Sequence, residues 1–115
     1  MIQIEHARAV ENLEEIITVE GIDVVFIGAN DLSASMGLLG QPVHPLVLKA
    51  IERIRDVATE HGVTVGLNAG TAEAVNQRFA EGFHFVGINY DVGFLHCACQ
   101  SVCRDIQRKI VIQKA

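Results

Sequence analysis

Long apolar runs are missing from this sequence of 115 residues: the longest have the length of a strand, far short of the roughly 20 residues that span a bilayer. Clusters of Lys and Arg are missing too, and the net charge is −5. Because proteins neutralise nucleic-acid phosphates with clustered basic side chains, we expect neither a nucleic acid nor a membrane as a partner. The first residues also lack the features of a signal peptide.

Cysteine is scarce and confined to one segment: Cys97, Cys99 and Cys103 all lie within seven residues. An odd number of closely spaced cysteines does not form a disulfide framework, so a reducing cytoplasm is the simpler expectation. Together with His96 they read H-C-x-C-x₃-C, which does not match the ligand spacing of a zinc knuckle. Cys99 and Cys103 are one helical turn apart, so the alternative is that they are small hydrophobic residues buried on a helix face.

The apolar residues, 50% of the chain, follow two alternating patterns. Short continuous β-branched runs predict strands that are buried on both faces, and apolar residues three or four positions apart predict helices. The predicted strands cover residues 2–5, 22–27, 63–67 and 83–88. The predicted helices cover residues 7–19, 45–61, 71–80 and 91 to at least 110. The segment 28–45, rich in Gly and Pro, is predicted as a loop with one short helix after Asp31.

Three of the predicted strands follow a glycine that is preceded by an acidic residue or His, in the pairs Glu20-Gly21, His61-Gly62 and Glu81-Gly82. Such a glycine is typical of a helix end in the left-handed conformation. The chain therefore reads as one α/β domain of four βα units, with parallel strands and right-handed crossovers. Two architectures remain open on this pattern, a doubly wound sheet and an arc of a (β/α)₈ barrel.

Polar residues follow the predicted strands, at the edge where parallel α/β folds bind ligands. Two carboxylates at neighbouring strand ends, Glu5 and Asp31, suit a hard divalent ion such as Mg²⁺ or Mn²⁺ with water completing its coordination. The structural alternative is that Glu5 is a solvated strand end and Asp31 is the N-cap of the short helix. The turn at Gly28 also has two interpretations. Its backbone N–H groups could hold an anion, or it could be a tight turn without a ligand.

Two motifs resemble those of the HpcH/HpaI aldolase family. They are Gln3-Ile4-Glu5 and the later segment Gly28-x-x-Asp31-Leu32-Ser33-x-Ser35-x-Gly37. The resemblance includes residues 9–16 and 21–28 between them, continues through 40–52 and 82–91, and ends near Ile106. Members of this family are class II pyruvate aldolases, which act on 2-keto-3-deoxy sugar acids and 4-hydroxy-2-oxoheptanedioate.

The resemblance implies a (β/α)₈ barrel of the TIM-barrel type, of which residues 1–115 form the last four βα units. It implies that Glu5 and Asp31 hold the divalent metal, that Gln3 lies near it, and that the backbone of Ala29 and Asn30 lines the pyruvate pocket. The family's catalytic His and Arg lie in the first half of the barrel, so no catalytic residue is assigned here. Ala29 replaces the usual Pro, and Asn68 stands where the family often has an apolar residue.

The implied function is a metal-dependent lyase that cleaves or forms aldols of 2-keto acids, giving pyruvate and an aldehyde. Pyruvate would chelate Mg²⁺ or Mn²⁺, which stabilises the enolate. The alternative is a non-catalytic half-barrel that binds a divalent metal or self-associates. A third hypothesis, a phosphate-binding α/β module, is disfavoured by the lack of a dense glycine-rich loop.

The same reading predicts that the chain does not act alone. An open half-barrel leaves two strand edges unpaired, and the mean hydropathy of +0.30 is high for so short a chain. We therefore expect a homo-oligomer or pairing with the missing half of the barrel, and little aldolase turnover from these residues by themselves.

Overall fold

The computed structural model describes residues 1–106 and contains one sheet of four parallel strands alternating with helices. The strands are β1 (Ile2–Ile4), β2 (Val24–Ile27), β3 (Thr64–Ala69) and β4 (Phe85–Ile88). The helices are α1 (Ala7–Glu11), α2 (Leu13–Ile17), α3 (Ala29–Ser35), α4 (Pro45–Glu60), α5 (Ala72–Ala80) and α6 (Asp91–Asp105). The predicted α/β class and its four βα units are confirmed.

The strand order is β1-β2-β3-β4, so every strand pairs in parallel with the next one along the chain. A doubly wound sheet contains a point at which the strand order reverses. Because the described sheet has no such reversal, the order disfavours the doubly wound alternative. All four carboxyl ends of the strands lie at the same edge of the sheet.

The hydrophobic core lies between one face of the sheet and the helices. Val25 and Ile27 of β2 are buried on this face, and Val65 and Leu67 of β3 lie beside them in register. The alternate residues point to the other face, where Asn68 is exposed. The expectation that the strands are buried on both faces is therefore wrong for the described residues, which supply helices to only one face.

Helix α4 contributes most to this core because its apolar residues repeat at helical spacing. Val47, Ile51, Ile54 and Ala58 are all buried, as the spacing predicted. Pro45 begins the helix, and the Nδ1 atom of His44 accepts a hydrogen bond from the Leu46 N–H at 3.2 Å.

Three predicted helices differ in the structure. The helix expected over residues 7–19 is divided into α1 and α2 at Asn12, whose φ of −97° and ψ of 20° interrupt the helix. Asn favours such breaks because its side chain competes for backbone hydrogen bonds. Helix α3 begins at Ala29, before Asp31 rather than after it. Helix α6 ends at Asp105, because Ile106 is extended, whereas the prediction continued the helix to at least residue 110; residues 107–115 lie outside the described part of the chain.

The predicted glycine turns are confirmed as left-handed. Gly21, Gly62 and Gly82 have φ values of 88°, 69° and 92°. The first of these lies beyond the end of α2 at Ile17 rather than directly at the helix end, so Gly21 shapes the loop into β2. Within residues 1–106, no helix is both long and apolar enough to cross a membrane.

Candidate active site

A cleft of about 290 Å³ opens at the carboxyl ends of β1, β2 and β3. It lies where the sequence placed the candidate site, and it includes Gln3 and the three consecutive residues Ala29, Asn30 and Asp31. The residues that line it are Gln3, Phe26, Ile27, Gly28, Ala29, Asn30, Asp31, Pro42, Val43, Ile51, Leu67, Asn68 and Arg78. Four of the five predicted site residues therefore share one cleft.

Glu5, the fifth predicted residue, borders the cleft through Gln3. The Nε2 atom of Gln3 donates a hydrogen bond of 2.6 Å to Oε2 of Glu5. This bond fixes one carboxylate oxygen of Glu5 and leaves the other without a protein donor in the described structure. Because both side chains are exposed, the carboxylate stays hydrated and needs no buried partner.

Gly28 joins the ends of the first two strands. Its N–H donates a hydrogen bond of 3.0 Å to the carbonyl oxygen of Ile4. A Cβ atom at this position would lie 2.7 Å from Nε2 of Gln3 and 2.9 Å from both Cβ and Oε2 of Glu5. Because Gly28 has no side chain, the Gln3–Glu5 pair can pack against the start of α3.

Asp31 lies in the first turn of α3, three residues after Gly28. The alternative that Asp31 is the N-cap is wrong, because Gly28 occupies that position and α3 has no side-chain cap. The Asp31 carboxylate is exposed and belongs to a residue that lines the cleft. A carboxylate in the first turn of a helix is favoured by the helix dipole, so its position costs the fold nothing.

The remaining residues of the Gly28–Gly37 motif hold α3 in place. Leu32 and Ser33 are fully buried, and the Ser33 hydroxyl donates to the Asn30 carbonyl at 2.7 Å. The Ser35 hydroxyl donates to the Leu32 carbonyl at 2.8 Å and accepts from the Ala7 N–H at 3.0 Å. These bonds tie α3 to the segment that follows β1, so the two serines position the cleft-lining turn rather than contact a ligand.

The side-chain oxygen atoms at the carboxyl edge of the sheet are suitable ligands for a hard divalent cation. Carboxylate and amide oxygens are the ligands that Mg²⁺ and Mn²⁺ prefer, with water in the remaining positions. Within residues 1–106, no three side chains of His, Cys, Asp or Glu converge on one point. A cation here would therefore rest on the pair Glu5 and Asp31, with Gln3 hydrogen-bonded to Glu5 beside them.

The cysteines and histidines play no part in this cleft. Cys97, Cys99 and Cys103 are exposed on α6, so the alternative that Cys99 and Cys103 are buried as small hydrophobic residues is wrong. His6 is the N-cap of α1 and its Nδ1 accepts from the Arg8 N–H at 3.2 Å. His61 follows α4, and its Nδ1 lies 2.9 Å from the Val57 carbonyl oxygen, which confirms the expected position at the helix C-terminus.

A second groove of about 400 Å³ runs between α4 and α5 and is lined by charged residues of both. Arg78 donates to Glu81 across 2.7 Å. Partial burial raises the pKa of Glu81, but hydrogen bonds from Gln77 and Arg78 and the charges of Arg78 and Arg55 outweigh it, so the pKa lies below its ordinary value. The Arg78–Glu81 pair lies at the end of α5, and only the longer-range charge of Arg55 reaches Glu81 from α4.

Sequence reasoning missed several residues that line the cleft. Pro42 and Val43 come from the loop before α4, and Arg78 comes from α5. The Gly- and Pro-rich composition of residues 28–45 indicated a loop near the site, which could have suggested Pro42. Nothing in the local pattern distinguishes Arg78 from an ordinary surface cation of an amphipathic helix.

Comparison with known proteins assigns the chain and its fold to a family. Residues 1–98 match the sequence profile described as HpcH/HpaI aldolase/citrate lyase. The chain belongs to this family. It is 36% identical over 102 residues to the 5-keto-4-deoxy-D-glucarate aldolase of Shigella dysenteriae serotype 1, a match that covers 89% of this chain and 40% of that protein. The chain thus spans about 40% of the length of the curated relatives it matches.

Solved structures of HpcH/HpaI proteins have the same arrangement of strands and helices. A family member from Burkholderia cenocepacia J2315 superposes with a TM-score of 0.87 at 34% identity, over 93% of this chain and 42% of that one. The HpcH/HpaI aldolase from Desulfitobacterium hafniense DCB-2 gives a TM-score of 0.87 at 29% identity, over 98% of this chain and 44% of that one. The predicted family resemblance, restricted to part of the relatives' length, is confirmed.

Proposed function

We propose that this chain supplies the metal-binding part of the active site of a class II pyruvate aldolase. The reaction is the reversible cleavage of a 2-keto acid aldol, such as a keto-deoxy sugar acid, to pyruvate and an aldehyde. One observation carries the proposal: the Glu5 carboxylate, held by Gln3, lies against Gly28, three residues before Asp31 in the same cleft-forming turn.

The proposed setting is an arc of a (β/α)₈ barrel. The strands follow one another in parallel without a change of direction, as barrel strands do. The HpcH/HpaI structures that match are more than twice as long as the matched part, since this chain covers 42% and 44% of them. The open face of the sheet, with Gln3, Phe26 and Asn68, would then point into the barrel.

In this proposal Glu5 and Asp31 ligate a divalent ion, Mg²⁺ or Mn²⁺, and Gln3 orients Glu5 through its 2.6 Å hydrogen bond. The bound ion supplies Lewis-acid stabilisation of the negative charge that develops on the keto oxygen of the substrate. The backbone of Ala29 and Asn30 contacts the pyruvate carboxylate from the wall of the cleft. In the same proposal the exposed amide of Asn68, which lines the cleft from β3, hydrogen-bonds the aldehyde part.

Calorimetric titration with Mn²⁺ tests the ligand assignment. We expect Glu5→Gln and Asp31→Asn each to weaken Mn²⁺ binding by at least about tenfold, because each removes one of only two anionic ligands. The matched control is Asp23→Asn, which removes an exposed carboxylate just before β2, at the opposite end of the strand that leads to Asp31. Equal Mn²⁺ affinity in the wild type, both site variants and the control would overturn the assignment.

A second candidate function is a half-barrel that binds a divalent metal or self-associates without catalysis. The coverage of about 40% of the curated relatives favours it, because the groups that other parts of those proteins contribute are not among the residues described. Pyruvate release from a 4-hydroxy-2-oxo acid with Mn²⁺ present separates the two. We expect Mn²⁺ binding but little or no turnover from the 115-residue chain by itself. Sustained turnover that Glu5→Gln abolishes would establish catalysis by this chain alone.

A further inference from the structure

Two cysteines of helix α6 lie together outside the cleft. Cys99 and Cys103 are four residues apart, which is one helical turn, so both thiols are on the same side of α6. Both are free and exposed, and no residue of α6 is buried. Cys97 is also free and exposed, but it lies on the opposite side of the helix by the same spacing. Cys99 and Cys103, here called the thiol pair, are therefore open to a ligand from solvent.

The spacing of the thiol pair is too wide for a disulfide within the helix. Side chains one turn apart on a helix have Cβ atoms about 5–6 Å apart. A disulfide needs Cβ atoms roughly 3.5–4.5 Å apart, so closing one would distort the turn. As long as α6 is helical, the two thiols therefore remain available as separate ligands.

The same spacing suits one metal ion between the two sulfur atoms. In tetrahedral zinc sites the Zn–S distance is about 2.3 Å, which places two sulfur atoms about 3.8 Å apart. Each sulfur atom extends one bond beyond its Cβ atom, so Cβ atoms about 5–6 Å apart allow this separation without movement of the backbone. Ligands at positions i and i+4 of a helix hold zinc in the same way in H-E-x-x-H sites.

We infer that Cys99 and Cys103 bind one Zn²⁺ ion as two thiolates, with water in its other positions. Both thiols lose their protons on binding, and no redox step is involved. Thiolate ligands favour soft ions, whereas Mg²⁺ and Mn²⁺ favour oxygen ligands such as those at the cleft. The chemistry of the ligands therefore distinguishes the thiol pair from the carboxylates Glu5 and Asp31.

His96 belongs to the same run of residues but not to this site. It precedes Cys103 by seven residues, which is about 10 Å along the helix axis, so one ion cannot contact both side chains. Among the residues that the structure describes, no group of three His, Cys, Asp or Glu side chains is placed to hold an ion. The site accordingly has two protein ligands, and we expect it to bind zinc more weakly than the four ligands of a zinc finger do.

An ion at the thiol pair stabilises α6. The helix has 15 residues and no buried side chain, and helices of this length are marginal in water without packing. An ion held by two ligands one turn apart fixes that turn, so it binds the helical segment better than the unfolded one. We therefore expect the chain to gain helical signal in far-ultraviolet circular dichroism when the ion is added.

Titration of the reduced full chain with Cd²⁺ tests the inference, because bonds between Cd²⁺ and thiolates absorb in the ultraviolet and bonds to carboxylates do not. We expect the absorption to saturate at one Cd²⁺ per chain. Cys99→Ser and Cys103→Ser should each weaken binding at least about tenfold, since each removes one of two thiolates. The matched control is Cys97→Ser, which removes the thiol on the opposite side of α6 and should leave the titration unchanged.

Three results of this titration would overturn the inference. The first is equal Cd²⁺ affinity in the wild type and both serine variants, and the second is a loss in Cys97→Ser as large as theirs. The third is saturation at half a Cd²⁺ per chain, because two copies would then share one ion. Serine replaces an exposed thiol without leaving a cavity, so the variants should fold, and circular dichroism checks this.

Competition between ions gives an independent measurement. Excess Zn²⁺ should remove the Cd²⁺ absorption because it takes the same two thiolates, whereas excess Mn²⁺ should leave it unchanged. Glu5→Gln, which alters the cleft, should also leave the absorption unchanged. An absorption that persists in excess Zn²⁺, or that Mn²⁺ removes as readily as Zn²⁺, would contradict a zinc site at the thiol pair.

Discussion

Replacing Gly28 with alanine adds one methyl group at the point where β1, β2 and α3 meet. The new Cβ would lie 2.7 Å from Nε2 of Gln3 and 2.9 Å from Cβ of Glu5. The Gln3 amide is the end of a flexible side chain and can move. The Glu5 Cβ is attached to the backbone, and the preceding residue Ile4 accepts the Gly28 N–H bond of 3.0 Å, so relief requires displacement of the strand end.

This displacement sets the expected magnitude. Adding a methyl group to a well-packed position costs about 1–3 kcal/mol of unfolding free energy. The backbone itself imposes no penalty, since the φ of Gly28 is −85°, which alanine adopts freely. Because the clash falls on the Gln3–Glu5 pair, we also expect the affinity for Mn²⁺ to fall about 10- to 100-fold, as when a residue that orients a metal ligand is lost.

Urea unfolding and Mn²⁺ calorimetry of Gly28→Ala measure the two effects separately. Gly70→Ala is the matched control, because Gly70 also follows a strand at the carboxyl edge and a Cβ there meets nothing within 4 Å. We expect this control to change the unfolding free energy by less than about 1 kcal/mol. Unfolding and Mn²⁺ titrations of Gly28→Ala that coincide with those of the wild type would refute the argument.

Three further outcomes follow from the packing and the charges. Gly66→Ala places a Cβ against the backbone carbonyl of Phe85 on β4, so thermal melts should show a loss of at least about 3 kcal/mol, more than for Gly28→Ala. Ile54→Ala should cost about 2–5 kcal/mol in urea unfolding, because Ile54 is fully buried in the core. Glu81 has a folded-state pKa below its ordinary value of 4.5, so the stability it contributes is complete above about pH 4.5 and is lost as the pH falls through the lower folded value. Glu81→Gln should therefore be less stable than the wild type at pH 7, and a difference that persists unchanged at pH 2 would contradict this linkage.

Much of the candidate site could be predicted from the sequence because its residues are adjacent to strand ends. Gln3 lies in β1, Glu5 directly follows it, and Asp31 follows β2 by four residues. Parallel strands place their carboxyl ends at one edge, so the βα repeat predicts that these residues lie near one another. The role of Gly28 could not be predicted, because the 2.9 Å approach to Glu5 depends on how β1 and β2 are aligned.

The helices show which features a local sequence pattern predicts and which depend on tertiary structure. The buried residues of α4 appear at the predicted spacing, since periodicity reports which side of a helix is apolar. Apolar residues of α6 such as Val92, Leu95 and Val102 also recur at helical spacing, yet no residue of α6 is buried. A pattern specifies that a face needs a partner but not which surface provides it.

The sequence by itself determined the order of strands and helices, the left-handed glycines between them, and which carboxylates follow the strands at the carboxyl edge of the sheet, because each of these depends on neighbouring residues. Tertiary structure alone decided which face of the sheet is covered, that Pro42 and Arg78 join the cleft, and that no residue of α6 is buried. These features depend on contacts between residues far apart in the chain, and those contacts leave no local periodic signal.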